Sequence, residues 1–389
     1  MKNKVLFFLN SLPHRNTAGG MLYNQVLESY GPENVSVIGV SFPQENSFNS
    51  SSNNKQFRLR FPENNLFWKV LKKISILEDL FVLIKYLIIK KKVIDHLKKT
   101  NPEIILFQLR GDSLFFLKSV FKHANIPIVA MIEDTVEREI DGSYLSYLIK
   151  KRLYYKYISK MSKIGVAGET MQNYIQSSFK IESIIIRPWS ERMNVLKMSK
   201  KVVDGKINLF FGGNIYAKKE FKLFLKALDL FLKNNKKYDF NFFIASRKKI
   251  DYQPENYKIT ELGWIKESAL REYMDISHFS YLPYIFDSKY EHSMMYAFPS
   301  KAGFYITNNL PIFFHGPVHS SFNTFLKSHK VGVSCSSLEI NDVVTSISTL
   351  IADGKECFSS FNNAIDIAYK TEYTQEQFDN RVKKLFEVI

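Results

Sequence analysis

The sequence predicts an α/β protein built from two doubly wound domains in series. The chain has 389 residues, which is the length of two domains of about 150 residues or more each. Short apolar runs alternate along it with longer amphipathic segments, as in a parallel sheet that helices cover on both faces. This alternation breaks off near residue 190 and restarts near residue 206, so the pattern contains two units of similar size.

The first predicted domain, residues 1–189, alternates strands and helices from its start. Apolar runs predict its buried strands, and periodic stretches between them predict its helices. The predicted strands are Val5–Leu9, 35–40, 104–107, 126–132, 164–167 and 181–186. The predicted helices are 20–30, 112–123, 143–161 and 169–178. Residues 43–65 are rich in Ser, Asn and Pro, which predicts a long surface loop.

The second predicted domain, residues 206–389, follows a polar linker at 190–205. Its apolar runs predict strands at 207–211, 240–245, 257–262, 278–283, 310–314 and 331–334. Its periodic segments predict helices that include 218–234, 338–352 and 375–388. The last helix is expected to pack back on the first domain. Ligands of such sheets bind at the carboxyl ends of the strands, where the strand order reverses.

The composition excludes several classes of protein. With 45% apolar and 24% charged residues, the chain is neither disordered nor a fibre. Its two cysteines, Cys335 and Cys357, provide no disulfide scaffold and no zinc site, and they fit a reducing compartment. No apolar run approaches the roughly 20 residues of a membrane span, and the amino terminus lacks a signal-peptide pattern. The sequence therefore predicts a cytoplasmic protein.

The positive charge predicts an anionic surface as a partner. The formal net charge is +16, and residues 1–189 carry 27 Lys and Arg against 16 Asp and Glu. Nine lysines interleave with apolar residues across the Lys-rich segment 66–99. A basic amphipathic helix favours an anionic membrane surface, although a domain helix with solvated lysines would show the same pattern. Nucleic acid is not expected, because no known nucleic-acid-binding motif is present. A lysine-rich composition typical of an AT-rich genome is the other explanation of the charge.

Two glycine pairs follow predicted strands and precede predicted helices. The first, Gly19 and Gly20, ends a loop that also contains His14. The second, Gly212 and Gly213, comes before Lys219 at the start of a helix. Glycine lets an anion approach the free N–H groups of a helix amino end, so each loop is a candidate binding loop. Either loop could instead be an ordinary turn that needs glycine for its backbone conformation.

Several motifs follow one another along the second domain. They are Gly213-Asn214 with Lys219, Glu261-Leu262-Gly263-Trp264-Ile265, Tyr281-Leu282-Pro283-Tyr284, Pro299-Ser300-Lys301 and Asn309-Leu310-Pro311-Ile312. Through these motifs, over about residues 205–335, the domain resembles the carboxyl domain of GT-B glycosyltransferases, nearest to family 4, and Pro299-Ser300-Lys301 is the most specific part of the resemblance. The resemblance implies two Rossmann-like domains facing a cleft, with a nucleotide-sugar donor on the second and the acceptor on the first. It implies no cofactor.

The resemblance also implies a set of donor-binding residues. These are Gly213, Lys219, Trp264, Tyr284, Glu291, Pro299, Ser300 and Lys301. Family members commonly have an Arg where this chain has Asn214, and retaining members have glutamates where it has Tyr296 and Phe304. Glu291 is the nearest carboxylate. These departures favour an inverting reaction, in which a carboxylate of the first domain deprotonates the acceptor.

Two adjacent carboxylates are candidates for that catalytic base. Asp134 and Glu133 follow the predicted strand 126–132, at the strand end that should face the cleft. Asp134 is the first choice and Glu133 the second, but both could instead cap the helix that follows. Asp112 follows another strand, and capping is its expected role. His14, in the loop after the first strand, is a further candidate, either as a base or as a ligand of the acceptor sugar.

The sequence thus predicts a glycosyltransferase of hexosyltransferase type. It would move a sugar from a nucleotide-sugar, UDP-linked by default, to a glycan or lipid-linked acceptor in bacterial-type surface polysaccharide assembly. The enzyme is expected to be metal-independent, since no Asp-x-Asp stands where it could hold a metal, and peripheral on the inner face of the membrane. The alternatives are a nucleotide-sugar 2-epimerase and a catalytically degenerate protein that binds a glycan or acts as a scaffold.

Overall fold

The computed structural model describes residues 3–13, 18–40, 56–58, 75–140, 143–192, 205–352 and 357–388. The chain divides into two compact units. Unit 1 comprises Met1–Arg187 with Phe378–Ile389, and unit 2 comprises Pro188–Gln377. His14, most of the predicted linker and the first nine residues of the Lys-rich segment lie outside the described residues.

Unit 1 contains a parallel sheet whose order reverses beside its first strand. The strands are β1 Val5–Leu9, β2 Val35–Gly39, β3 Gln56–Arg58, β4 Ile104–Gln108, β5 Ile128–Ile132, β6 Ile164–Val166 and β7 Ser183–Ile185. They are arranged in the order β3-β2-β1-β4-β5-β6-β7. All five residues of β1 are buried, because helices cover both faces of a parallel sheet. The carboxyl ends of β1 and β4 form the switch point of this sheet.

The helices of unit 1 include the last helix of the chain. They are α1 Ala18–Tyr30, α2 Ser75–Thr100, α3 Leu117–His123, α4 Val136–Glu139, α5 Tyr144–Ile158, α6 Glu169–Phe179 and α14 Gln375–Phe386. The ring of Phe386 stacks on that of Phe7 with centroids 6.3 Å apart, and it lies 4.6 Å from the ring of Tyr30. Burial of these rings holds the end of α14 on β1 and α1.

Unit 2 contains a second parallel sheet with its own switch point. Its strands are β8 Lys206–Gly212, β9 Asp239–Ala245, β10 Lys258–Glu261, β11 Phe279–Pro283, β12 Ile312–His315 and β13 Gly332–Cys335. Their order is β10-β9-β8-β11-β12-β13, so it reverses between β8 and β11. The helices are α7 Lys218–Asn234, α8 Glu267–Asp275, α9 Glu291–Tyr296, α10 Ser300–Thr307, α11 Ser321–His329, α12 Ile340–Ala352 and α13 Cys357–Glu372.

Helix α7 shows why the sequence folds this way. Its apolar residues recur at the spacing of one helical face, and these side chains are buried against the sheet. They are Phe221, Phe224, Leu225, Leu228, Phe231 and Leu232. The ring of Phe224 stacks on that of Tyr281 in β11, with centroids 3.9 Å apart. The loop between β8 and α7 is therefore fixed at both of its ends.

The α/β prediction is confirmed, and the differences are local. Strand β3 lies inside the predicted loop 43–65, where its three residues pair with β2 but are too few to give an alternating pattern. The predicted helix 112–123 begins as a 3₁₀ turn at Gly111–Phe116. Gly111 has a φ of +52°, and the Asn10 side chain occupies the space that a Cβ there would need. Within the described residues, no helix is long and apolar enough to cross a membrane.

Candidate functional site

The glycine that ends β8 lies against a lysine from α10. Gly213 has a φ of +106°, and its N–H donates to the Ala245 carbonyl at 2.8 Å. A Cβ on Gly213 would lie 2.6 Å from Cε of Lys301. Any other residue at 213 would therefore strain the backbone and displace the lysine. The structure thus brings together two predicted donor-binding residues from separate motifs.

The Lys301 amine is half-buried, and it contacts a carbonyl and aromatic rings. Its Nζ donates to the Asn214 carbonyl at 3.1 Å and lies 4.6 Å from the ring centroid of Phe211 and 5.2 Å from that of Tyr216. Within the described parts of the chain, no carboxylate pairs with it. Burial lowers the pKa of Lys301 to about 8, because the charged form loses hydration. An anionic ligand would supply the missing counter-charge.

Helix α10 begins at this same place. Pro299 is its N-cap residue, and Ser300 and Lys301 form its first turn. The Tyr305 hydroxyl, one turn further on, accepts a hydrogen bond from the Gly212 N–H at 3.1 Å, which fixes the helix against the end of β8. The amino end of a helix presents N–H groups and a positive dipole to anions. Together with Lys301, this arrangement can bind a phosphate.

The other predicted donor-binding residues lie around this cluster in different environments. Lys219 is exposed in the first turn of α7, and Glu291 is exposed at the start of α9. Tyr284 is buried after β11, and its hydroxyl donates to the Ala297 carbonyl at 3.0 Å. That hydrogen bond gives Tyr284 a role in holding the loop before α10. Trp264 follows β10, its side chain is exposed, and its ring makes a cation–π contact with Arg247.

A buried polar network beneath the site was not found from the sequence. The Glu220 carboxylate accepts from the Phe286 N–H at 2.9 Å, so it fixes the loop after β11. The Tyr281 hydroxyl lies 3.1 Å from Nδ1 of His315, whose Nε2 lies 2.8 Å from the Ser337 carbonyl. Burial lowers the pKa of His315, so the ring is neutral, donates through Nε2 and accepts at Nδ1. A glutamate on the apolar face of α7 was the only sequence signal.

In unit 1, Glu133 lies where β5 ends, against the first turn of α1. Its Oε1 accepts from the Gln108 side-chain amide at 3.3 Å, and the Gln108 Oε1 accepts from the Asn10 N–H at 2.9 Å. A Cβ on Gly19 would lie 2.7 Å from the Glu133 carboxylate, so the glycine makes room for it. Burial raises the pKa of Glu133, and Arg110 opposes that shift. A carboxylate with a raised pKa suits a general base.

Asp134 is engaged with its own neighbours in the chain. Its Oδ1 accepts from the Thr135 N–H at 2.8 Å, and its Oδ2 lies 3.2 Å from the Arg138 guanidinium. Burial raises the pKa of Asp134, and Arg138 opposes the shift. Both oxygens stabilise the start of α4. Gly20, the other glycine of the predicted loop, is buried in α1.

A third carboxylate, Glu139, belongs to the same cluster and was not found from the sequence. It is 3% exposed, and its Oε2 lies 3.2 Å from Nε of Arg110. Burial raises its pKa to about 8, opposed by Arg110 and reinforced by Glu133. Helix α4 has only four residues, so no periodicity marked Glu139 as buried. Asp112, the expected cap, instead pairs with the buried Lys150 at 3.0 Å.

The raised pKa of Glu139 predicts a pH-dependent stability. The folded protein holds this proton between the ordinary glutamate pKa of 4.5 and about 8, whereas the unfolded chain does not. Stability conferred by the neutral carboxyl is therefore lost as pH rises through this range. Relative to Glu139→Gln, which stays neutral, the melting temperature of the wild type should fall between about pH 5 and about pH 8.

Glu137→Gln on the same helix is the matched control, because Glu137 is exposed. A constant difference in melting temperature between the wild type and Glu139→Gln across this range would contradict the assignment.

Comparisons with known proteins agree on the fold. No protein-family model matches the sequence, and no curated protein matches it either. Solved structures do match along the whole chain. One is the E. coli trehalose-6-phosphate structure bound with UDP-2-fluoro glucose, with a TM-score of 0.63, 10% identity and 99% of both chains covered. Another is a glycosyltransferase from Rickettsia africae ESF-5, with a TM-score of 0.62, 10% identity and 100% of both chains covered.

A third match is the α,α-trehalose-phosphate synthase (UDP-forming) from Burkholderia xenovorans in complex with glucose-6-phosphate. Its TM-score is 0.59 at 10% identity, with 98% of this chain and 99% of that chain covered. These neighbours are GT-B glycosyltransferases, and between them they bind a nucleotide sugar and a sugar phosphate. The fold predicted from the sequence is confirmed: this chain has the GT-B fold, with two parallel α/β sheets in two units.

Proposed function

We propose that this protein is a glycosyltransferase that uses a nucleoside-diphosphate sugar as donor. The observation that carries the proposal is the Lys301 amine, which lies without a carboxylate partner among the described residues at the amino end of α10 and against Gly213. A sugar diphosphate supplies the negative charge that this site lacks. The fold shared with glycosyltransferases supports the same reading.

The proposed reaction is an inverting displacement. An acceptor hydroxyl attacks the anomeric carbon of the donor, and the bond from that carbon to the diphosphate oxygen breaks. The departing diphosphate takes the bonding electrons, and Lys301 and the N–H groups of α10 stabilise its charge. The hydroxyl proton passes to a carboxylate of unit 1, for which we take Glu133, because the Asp134 oxygens are engaged with Thr135 and Arg138. No metal takes part in this scheme.

The proposed acceptor is a glycan or a lipid-linked sugar of a bacterial-type surface polysaccharide, and the proposed location is the inner face of the membrane. Helix α2 supports a membrane contact, since Leu87 and Ile88 are exposed on it beside Lys91 and Lys92. Helix α5 adds further exposed apolar side chains, which are Tyr144, Leu145 and Leu148. Apolar groups among cations suit the interface of an anionic bilayer.

Anionic liposomes provide the test of this surface. The wild type should sediment with vesicles that contain an anionic lipid, and less so in high salt, because salt screens surface charge. Replacing Lys90, Lys91 and Lys92 by Gln should weaken binding by about 1 kcal/mol per lysine that lies near the surface.

Replacing Lys222, Lys226 and Lys233 by Gln is the matched control, because it removes the same charge from exposed positions on α7 of unit 2. Equal binding of both triple variants, or indifference of the wild type to lipid charge, would contradict a membrane contact through α2.

A ligand screen tests the donor proposal. UDP, GDP, CMP and their sugars should be compared for their effect on the melting temperature, since a ligand of the folded state raises it by mass action. The proposal expects a nucleoside diphosphate to stabilise the protein more than its nucleoside does. No stabilisation by any member of the panel would contradict it.

A further inference from the structure

A second cation lies at the carboxyl end of the sheet in unit 2. Arg247 follows β9 and Trp264 follows β10, and the Arg247 guanidinium carbon lies 4.3 Å from the centroid of the Trp264 ring. Trp264 remains 63% exposed although its ring contacts Arg247. Trp264 belongs to the motif Glu261-Leu262-Gly263-Trp264-Ile265, whereas Arg247 lies in a loop without a recognisable motif.

The strand register brings Arg247 to the same sheet edge as the Lys301 cluster. Gly212 and Ala245 are paired residues of the parallel strands β8 and β9, and the Gly213 N–H donates to the Ala245 carbonyl at 2.8 Å. Arg247 is only two residues beyond Ala245. On the other side of β9, the Leu262 N–H donates to the Ile244 carbonyl at 2.9 Å and so fixes the start of the loop that carries Trp264.

Neither Arg247 nor Lys301 pairs with a carboxylate among the residues that the structure describes. A carboxylate of this edge, Glu261, accepts instead from the Ile250 N–H at 3.2 Å. Because Lys301 lies against the glycine that follows β8 and Arg247 follows the neighbouring strand β9, this edge presents two positive charges, which favour an anionic ligand. Gly263 has a backbone φ of +66°, and no atom of the described residues lies within 4 Å of a Cβ placed there, so a ligand can approach the backbone beside Trp264.

The cation–π contact with Trp264 leaves Arg247 able to bind a ligand. The guanidinium carbon lies 4.3 Å from the centroid of the ring, and a guanidinium can donate two N–H groups at once to phosphate oxygens. Contact with the Trp264 ring also restricts the Arg247 side chain, which reduces the conformational entropy that Arg247 loses when a ligand binds.

We propose that Arg247 is a second phosphate-binding residue of the donor site, and that Trp264 is a positioning residue that holds its guanidinium. The inference rests on the proposed function and extends it. Lys301 binds one phosphoryl group of a nucleoside diphosphate at the end of β8, and Arg247 binds phosphoryl oxygens from the end of β9.

Calorimetric titration with UDP and uridine tests this assignment. Arg247→Gln should weaken UDP binding by about 10- to 100-fold and leave uridine binding unchanged, because a charge-assisted contact to phosphate is lost. Lys249→Gln removes the same charge from an exposed position in the same loop and should have little effect. Trp264→Leu should weaken UDP binding in the wild type more than in the Arg247→Gln background, because it acts through Arg247.

A rescue variant makes the test specific. The Asn214 carbonyl lies 3.1 Å from Nζ of Lys301, so an arginine at 214 starts beside the phosphate site. Asn214→Arg should therefore restore part of the UDP affinity of Arg247→Gln. Both positions are at the surface of a loop, and melting curves verify that the variants are folded.

The outcomes separate this inference from the proposed function. If the wild type binds UDP and Lys301→Gln weakens that binding, but Arg247→Gln behaves like Lys249→Gln, then Arg247 is not a donor ligand and the donor site stands. Equal losses for UDP and uridine would likewise overturn a phosphate contact by Arg247. If no nucleoside diphosphate binds the wild type, the proposed function fails and this inference fails with it.

Discussion

Replacement of Glu133 by Gln should lower the turnover of sugar transfer by about 100- to 10,000-fold, which is the range that a positioned general base contributes. The amide keeps the shape of the side chain but cannot accept the proton of the acceptor hydroxyl. The affinity for the nucleotide donor should stay close to that of the wild type, because the donor-binding residues belong to unit 2. Initial rates with a saturating donor, together with donor titration, measure both quantities.

Asp134→Asn is the paired variant. The sequence places Asp134 first, whereas the structure shows its oxygens bound to the Thr135 N–H and next to Arg138. Its replacement should therefore act mainly on the stability of α4, with a smaller loss of turnover than Glu133→Gln. If Asp134→Asn lost most of its turnover while Glu133→Gln kept near-full turnover, Asp134 would be the base instead. A product that keeps the anomeric configuration of the donor would contradict both assignments and direct attention to Glu291.

Lys301→Gln should weaken the binding of a nucleoside diphosphate by about 10- to 100-fold, with little change for the nucleoside alone. The amine contacts phosphate in the proposal and not the base. The wild type should also bind UDP less tightly as pH rises above about 8, because free Lys301 then loses its proton before the ligand arrives. The variant should lack this component of the pH dependence.

Lys219→Gln is the control for this experiment. Lys219 lies in the first turn of α7, as Lys301 lies in the first turn of α10. Its side chain is exposed, so its charge is hydrated before any ligand binds. Its loss should cost less affinity than the loss of Lys301. Equal affinity of Lys301→Gln and the wild type for UDP at every pH would remove Lys301 from the donor site.

Sequence patterns predicted the fold because the same burial of apolar side chains recurs in every strand and helix that packs in the core. Each predicted apolar run overlaps a parallel strand, and most of these strands are buried, although β10 and β13 are largely not. The helix at 218–234 was predicted to the residue because its apolar face is continuous. The two glycine pairs were also informative, since Gly213 has a positive φ and Gly19 leaves room for a carboxylate. Strand β3 could not be predicted, because a three-residue edge strand depends on its partner β2.

The candidate sites were predicted only in part, since their remaining members meet through tertiary structure. Glu139 and Arg110 are 29 positions apart in the printed sequence and join only because α4 turns back toward the end of β4. Arg247 meets Trp264 because their strands are neighbours in the sheet. No local pattern marks such pairs. A buried acidic residue in a four-residue helix and an arginine in an exposed loop look ordinary until the sheet is assembled.

Release of the nucleotide from a nucleotide sugar tests the central claim most directly. The purified wild type should be incubated with a panel of UDP-, GDP- and CMP-sugars, with and without glycan and lipid-linked acceptors, and both the freed nucleotide and the glycosylated product should be measured. The account predicts that one donor releases its nucleotide in step with transfer to an acceptor, and that Lys301→Gln and Glu133→Gln both reduce this release. Conversion of the sugar without release of nucleotide would identify an epimerase instead. Donor binding without turnover under every condition would indicate a binding protein, and either result would contradict the account.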